Sequence, residues 1–509
     1  MHNNVTVFSK EIYYKLNLDD VLVNFKVCGR YHAKACVLLI LGAVIETTWY
    51  CNYVFVTEEV GYSTSNTVND IAVWCRNPSL CSEWIYNDPD SFMAEFQLAC
   101  QDWKRTLIGS VHSFGYMIGL LIVGPLSDRF GRKSLIIVTG IAGAVLGTVK
   151  TFVSSYWIYV ALELLEAAIG DFCSPLYILG LEMVATKSRV TFSTLCNMGF
   201  GIGGLLLPLL AWLIPYWRTL LRVIYIPGLL SICLIYLLDE SPRWLLVKGK
   251  KSAALEIIRN AAKMNKIEIN ENLNLISFET DNESSFVAAL RDTFKSRSIL
   301  KRVFVCIVWW FTCTLVNFGM ALNSVILQGN KYVNFAMSSV MDILSFILGA
   351  YILKKFNRTG PLITSFLACA IFCIGQPFIP NNLLWLVNST YMAGKLMSSI
   401  AFNTVYIFTS ELFPTHTRNS IHALCSSIGR IGSIIAPQLP LLMVYWTGIP
   451  NVIFGAVSLV AGLLTLLAPD TADTNLPDTV GQAEALKVGT AKPGNKCCKH
   501  RMKTDCTSL

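Results

Sequence analysis

Twelve long apolar runs constrain this chain more than any other feature. They cover roughly 35–57, 105–126, 134–153, 156–180, 191–214, 219–238, 303–325, 332–353, 361–380, 383–409, 419–446 and 449–468. Crossing the hydrocarbon of a bilayer takes about 20 residues of helix. Lipid cannot satisfy open backbone groups, so each run is predicted to be a membrane-spanning helix. The composition agrees: 53% of the 509 residues are hydrophobic and 15% are charged, where a soluble chain carries about a quarter charged residues. Mean hydropathy is +0.51. Residues Met1 to Lys34 are polar and lack a short apolar core ending in small residues, so the first run is expected to act as its own insertion signal.

The runs divide six and six. The expected organisation is an N-terminal segment 1–34, a six-helix bundle 35–238 with an outer loop 58–104, a linker 239–302 with short helices, a second bundle 303–468, and a disordered tail 469–509. Most of the 41 Lys and Arg fall in the first segment, the linker, the tail and alternate short loops. By the positive-inside rule both termini are then cytoplasmic. The net charge of +8 reads as a topology signal spread over short loops, not as a nucleic-acid surface. Four of the 17 Cys (Cys51, Cys75, Cys81 and Cys100) flank or occupy the outer loop and are disulfide candidates, with three pairings open. No cysteine spacing calls for a metal.

The chain also repeats itself. "EMVATKSR" (Glu182 to Arg189) and "ELFPTHTR" (Glu411 to Arg418) share a pattern at an offset of 229 residues. "SDRFGRK" has a worn partner in "LKKFNRT" at an offset of 226, and "LDESPRW" is echoed by "APDTADT". Three landmarks in one order at nearly one offset indicate two parallel six-helix halves related by an axis along the membrane normal. Halves of this kind can rock and expose a central cavity to either side in turn. The charges of "GPLSDRFGRKSL" would then hold a gate. Asp128 is expected to approach a helix N-terminus, and Arg129 and Arg132 to reach Glu182 or Glu240. Arg189, Arg243, Glu411 and Arg418 complete the candidate gating set.

These residues resemble the major facilitator superfamily, whose loop between helices two and three reads G-x3-D-R-x-G-R-[RK]. "WRTL" at Trp217, "ESPRWLLVKGK" at Glu240, "QGNKYVNF" at Gln328, "AFNTVYIFTSELFPTHTRNS" at Ala401 and the loop ending in "FQLACQDW" narrow the likeness to the organic cation, organic anion and carnitine transporter family, solute carrier family 22. The resemblance implies twelve helices, a central cavity lined by helices 1, 4, 5, 7, 8, 10 and 11, and transport of small organic ions across the plasma membrane. The chain departs from the family pattern in several places: Asp239 stands where the Pro of P-E-S-P-R is usual, and the outer loop has four Cys where six are common and no N-x-[ST] acceptor. Leu162 and Glu163 stand where an Arg is usual, Asp342-Ile343 where Glu-Pro is typical, and Asn357-Arg358-Thr359 where the second G-R-R loop belongs.

A charge at the bilayer centre costs about 2.5–3.5 kcal/mol on insertion scales, so each one needs a partner or a wet cavity. The runs hold Glu46, Glu163, Glu166, Asp171, Asp342, Lys395 and Arg430. Glu163 and Glu166 share a helix face. They read as a proton or cation site, or as partners of Arg218 or Arg222. Lys395 and Arg430 are candidate substrate contacts with Glu46, Asp342 and Phe318, because a guanidinium can grip a carboxylate through two parallel bonds. The other reading of Lys395 and Arg430 is an intramembrane salt bridge to Asp342 or Glu46. Trp49, Trp309 and Trp310 read as packing residues, and His112 as a satisfied interior histidine.

"GFGIGG" at Gly199 to Gly204 matches a dinucleotide fingerprint but falls inside a span, where small residues serve close helix packing. No catalytic constellation is present and no cofactor is called for. The expected function is secondary transport of a small organic ion (cation, zwitterion such as carnitine, or anion) by alternating access, with H+ or Na+ as an undetermined coupling ion. The alternatives are a membrane receptor or scaffold of the same fold and a proton-coupled sugar carrier.

Overall fold

A computed structural model describes residues 22, 25, 29–64, 75, 84–184, 189–267, 295–380, 382–414, 417–470 and 480–485. The first bundle contains α1 (Arg30–Val56), α2 (Asp102–Phe130), α3 (Arg132–Phe152), α4 (Tyr156–Glu182), α5 (Arg189–Leu213) and α6 (Trp217–Leu237). The second contains α7 (Arg297–Ile326), α8 (Lys331–Lys355), α9 (Thr359–Phe378), α10 (Leu384–Glu411), α11 (Ser420–Val444) and α12 (Ile449–Thr465).

Ten helices among the described residues are long and apolar enough to span a membrane, so the expected count of twelve is corrected by two. Both exceptions have a physical reason. Helix α10 has 28 residues but is interrupted by Asn, Ser, Thr and Lys. Helix α12 is apolar but has only 17 residues, about 25 Å at 1.5 Å per residue, against a core of about 30 Å.

The predicted repeat is present in three dimensions. Helix α1 packs on α5 as α7 packs on α11, α2 on α4 as α8 on α10, and α3 on α6 as α9 on α12. The halves meet through α2 against α11 and α5 against α8, two pairs that a pseudo-two-fold axis exchanges. The "GFGIGG" stretch explains one close approach. A Cβ at Gly199 would lie 2.8 Å from the Ile40 carbonyl oxygen and one at Gly203 2.7 Å from that of Val44, both on α1. Gly201 and Gly204 admit Ile343 and Ser339 of α8 in the same way.

The long loop between α1 and α2 marks one end of the bundle. There β1 (Tyr62–Thr64) pairs antiparallel with β2 (Trp84–Tyr86), Tyr62 opposite Tyr86. The Tyr62 and Tyr86 hydroxyls accept the Cys100 and Ala99 amides at 3.1 and 3.0 Å. Cys75 is disulfide-bonded to Cys100. Cys51 is a free thiol on α1, not a loop disulfide, because it lies within the helix. Cys81 lies outside the described residues. Glu95 ties the loop down by accepting Trp217 Nε1 at 3.1 Å and Arg218 Nε at 3.0 Å.

At the opposite, linker end, Pro242–Val247 and Lys251–Asn265 form short helices. Within the tail, Val480–Ala485 is helical. The Ala483 carbonyl there accepts Arg302 NH1, and Glu484 accepts the Ser296 hydroxyl, both at 2.5 Å.

Candidate functional site

Three groups of charged side chains are built by this fold. The first lies where α2 turns into α3 at the linker end. The turn needs Gly131, whose φ is +100° and whose added Cβ would collide with Glu240. Glu240 accepts the Arg132 and Lys133 amides at 3.1 and 3.2 Å, and so satisfies the N-terminus of α3. The carboxylate expected there was that of Asp128. Asp128 instead pairs with Arg132 at 2.7 Å, and its carbonyl accepts Trp244 Nε1. Arg132 grips Glu182 through Nε (3.1 Å) and NH2 (3.0 Å) and donates NH1 to the Ser127 carbonyl. Arg129 takes no part: it is exposed, over the Phe130 ring. Arg243 Nε donates to the Glu182 carbonyl at 3.1 Å. The side chain of Arg189 lies outside the described residues.

The second half repeats this arrangement with Glu411 of the candidate gating set and with Arg358, which that set left out. Arg358 grips Glu411 through Nε at 3.1 Å and NH2 at 3.2 Å, and donates NH1 to the Leu353 carbonyl. Its amide donates to Asp470 at 3.3 Å, as that of Arg132 does to Glu240. The worn loop thus keeps the one side chain that makes the contacts. The constant offset between Arg132 and Arg358 was the available signal. Arg418 NH2 reaches the Phe413 carbonyl at 3.4 Å.

The second group lies deep in the first half. Lys150, at the end of α3, has its Nζ 2.7 Å from Glu163 and 3.4 Å from Glu166, with no exposed surface on Lys150 or Glu163. Tyr225 is 3.0 Å from the same Nζ, and His112 Nδ1 lies 2.8 Å from Glu163. Glu163 and Glu166 therefore pair with Lys150 and His112, not with Arg218 or Arg222. Those arginines sit nearer the loop, on Glu95 and on the Thr151 hydroxyl respectively. His112, Glu163 and Glu166 are metal-ligating types in one cluster, but the Lys150 ammonium already ion-pairs with both carboxylates. Lys150 is absent from the charged residues singled out in the sequence, although it falls in the run 134–153. Two carboxylates in the next span were the sign that it is drawn inside.

Beside this cluster, α4 is broken. Its helical turns run Tyr156–Ile169 and Cys173–Glu182, leaving Gly170, Asp171 and Phe172 outside them. Asp171 Oδ1 accepts the Ser174 amide at 3.0 Å. A small cavity at the break is lined by Glu46, Glu166 and Asp171, with Trp49, Tyr50 and Tyr116 among its walls.

The third group lies on α7, α8 and α10, and completes in α11. Lys395 Nζ is 3.0 Å from Asp342 and donates to Asn317 Oδ1 at 2.9 Å. The Ser399 hydroxyl bridges the pair, donating to Asp342 at 2.5 Å and accepting from Asn317 Nδ2 at 2.7 Å. Arg430 follows the last regular turn of Arg418–Gly429 and stands over the rings of Tyr116 (5.0 Å) and Phe318 (5.8 Å). Its Nε is buried without a hydrogen-bond partner. Tyr50 packs on Phe318 and on Tyr116, so rings from both halves meet at Arg430. Trp309 and Trp310 pack elsewhere, donating to Thr465 and Thr409. Trp49 packs on Phe172 and Tyr225.

Residues 101–437 match the Major Facilitator Superfamily. Solute carrier family 22 member 1 of Bos taurus is 33% identical over 418 residues, covering 81% of this chain and 74% of that protein. The chain belongs to solute carrier family 22 of the major facilitator superfamily. Organic cation transporter protein of Drosophila melanogaster is 31% identical over 84% of the chain and 80% of its own length. Organic cation/carnitine transporter 2 of Homo sapiens is 31% identical, over 78% and 72%. Among solved structures, the partially occluded inward-open xylose transporter XylE from E. coli superposes with a TM-score of 0.61, covering 88% of this chain and all of that one at 17% identity. A D-xylose-proton symporter gives 0.58 at 14% identity, over 89% and 99%. The solute carrier family 22 chain is a multi-pass membrane transporter and not an enzyme.

Proposed function

We propose that the chain carries a small organic ion bearing a carboxylate across the plasma membrane, with both termini cytoplasmic, by alternating access. The observation that carries this reading is Arg430. Its Nε is buried, has no hydrogen-bond partner, and lies among rings contributed by both halves. A half-buried guanidinium whose Nε keeps a free donor is suited to a carboxylate. Lys395 holds Asp342 and Asn317, so it orders the floor of the site and offers substrate less. The mixed signs and aromatic walls suit a zwitterion such as carnitine.

The contacts between halves favour a state closed at the loop end. There the Thr106 hydroxyl bonds Gln438, Gln438 Nε2 donates to the Ser110 hydroxyl, and Ser110 donates to the Ile434 carbonyl. Lys331 pairs with Glu58, and Phe55 stacks on Tyr332. The Arg132–Glu182 and Arg358–Glu411 clusters each lie within one half, where they can brace the linker end as the halves rock. With Arg358 making the contacts of Arg132, the second loop gives no support to a scaffold that has lost transport.

The test is uptake of labelled carnitine, tetraethylammonium and benzoate into proteoliposomes holding the full chain. Arg430→Ala should cut uptake of the carboxylated probes at least tenfold while surface expression in cells stays intact. Normal uptake in that variant removes Arg430 from the site, and no saturable flux of any probe sinks the transport reading for these classes.

A further inference from the structure

The break in α4 brings together more negative charge than the fold neutralises. Glu46 from α1 and Glu163, Glu166 and Asp171 from α4 are all buried, with at most 7% of any one exposed. The cations facing them are Lys150, from the end of α3, and Arg430, from α11, which stands over the Tyr116 ring in the wall of the cavity that Asp171 lines. Even counting His112 of α2 with these two, four carboxylates face three cationic side chains. The remaining titratable groups in contact are phenols and a thiol: Tyr50, Tyr116, Tyr159, Tyr225 and Cys173. None of these supplies a positive charge.

Lys150 and His112 are already engaged with Glu163 and Glu166. Among the described residues, Glu46 and Asp171 are the two of these carboxylates without a salt bridge, and Arg430 is the one cation near them. Glu46 Oε2 and Asp171 Oδ2 are buried atoms without hydrogen-bond partners, and both residues line the same small cavity. Two bare carboxylates in a membrane interior are strongly unfavourable, so the site must take up positive charge. The broken helix is a second and separate sign. Helices interrupted near mid-membrane place backbone and side-chain groups around a transported or coupling ion. Here the interruption puts Asp171 at the start of the second half-helix, one oxygen held by the Ser174 amide and the other aimed into the cavity. Among the described residues, no three metal-ligating groups that include Glu46 or Asp171 cluster as His112, Glu163 and Glu166 do, which favours protons over a caged metal cation.

We propose that Glu46 and Asp171, at the break in α4, form a proton-binding site that couples proton entry to entry of the organic substrate. The inference rests on the transport reading above and deepens it. The coupling follows from Arg430. When a substrate carboxylate binds the guanidinium, Arg430 no longer offsets Asp171, and Asp171 gains affinity for a proton. By linkage, a proton on Asp171 frees Arg430 for the substrate. Each favours the other, so the two move in the same direction. The carboxylate takes the proton from the side of entry and returns it to water on the side of exit.

The experiment uses full-length protein in proteoliposomes with a trapped pH indicator and the same three labelled probes. A one-unit inward proton gradient should raise accumulation of a carboxylated probe about tenfold for one proton per substrate, with matching acidification of the lumen. In Asp171→Asn the ratio of accumulation with and without the gradient should fall to about one. Glu46→Gln should lower it in part. Saturable uptake that ignores the gradient in the unaltered protein overturns the coupling and leaves the transport reading standing. A second readout needs no substrate. Infrared difference spectra between acid and neutral buffer should show a protonated carboxyl band that Asp171→Asn removes. If that band is absent from the unaltered protein, or persists unchanged in both variants, the proton site is refuted even if no probe is carried.

Discussion

Replacing Lys150 with Met gives the sharpest test of how the first half is held together. The ammonium sits 2.7 Å from Glu163, 3.4 Å from Glu166, 3.0 Å from the Tyr225 hydroxyl and 4.6 Å from the Tyr225 ring centroid. Neither Lys150 nor Glu163 has exposed surface. Removing one partner of a buried pair leaves the other charge uncompensated, which costs about 3–5 kcal/mol. Methionine fills most of the vacated volume, so the loss is electrostatic and not a cavity effect. A control sits at the linker end, where Asp128 pairs with Arg132 but is 74% exposed on its side chain. Asp128→Asn should cost about 1 kcal/mol or less. The decisive variant is the double substitution Lys150→Met with Glu163→Gln, which removes both charges and should recover at least half of the single loss. Equilibrium unfolding in mixed detergent micelles, followed by far-UV circular dichroism, measures all five proteins, Glu163→Gln alone included. The reasoning fails if Lys150→Met lies within about 1 kcal/mol of the parent, or if the double variant is as unstable as the two single losses summed.

Other expected outcomes concern the gate and the loop. Arg358→Ala should slow transport as much as Arg132→Ala, while equilibrium substrate binding changes less than twofold, read by comparing uptake rate with binding at saturation. Glu58→Lys should impair transport by opposing Lys331 across the closed loop end, and adding Lys331→Glu should restore it, measured as uptake per surface-labelled molecule. Cys75→Ser opens the disulfide that spans 25 residues, worth about 3.5 kcal/mol on the chain-entropy account. Surface expression should therefore fall under oxidising conditions, whereas Cys51→Ser should leave it unchanged.

How much of this was legible depends on the kind of interaction. Apolar runs reported the helices, because burial in lipid demands about 20 apolar residues wherever they occur. Even so, α10 shows the limit: its Lys395 and Ser399 build the site, so a helix that matters there is among the least apolar. The repeat at offsets near 226 and 229 reported two equivalent halves, and the structure pairs their helices accordingly. The motif loops announced a charged cluster. Which carboxylate meets which group was not written in them, since Asp128 and Glu240 are both carboxylates near the loop and only the path of the linker brings Glu240 to the start of α3.

The sequence alone determined that the chain spans a membrane, that it is built twice, and that ionised residues are kept inside it, because hydropathy, repetition and charge are one-dimensional properties. Only the tertiary structure decided that Lys150 is drawn in to Glu163, that Lys395 is held by Asp342 and Asn317, and that Arg430 keeps a bare donor among rings from both halves. A charge's partner is fixed by the few ångströms that helix packing leaves between side chains far apart in the chain, and at that range electrostatic attraction outweighs any preference carried by the local sequence.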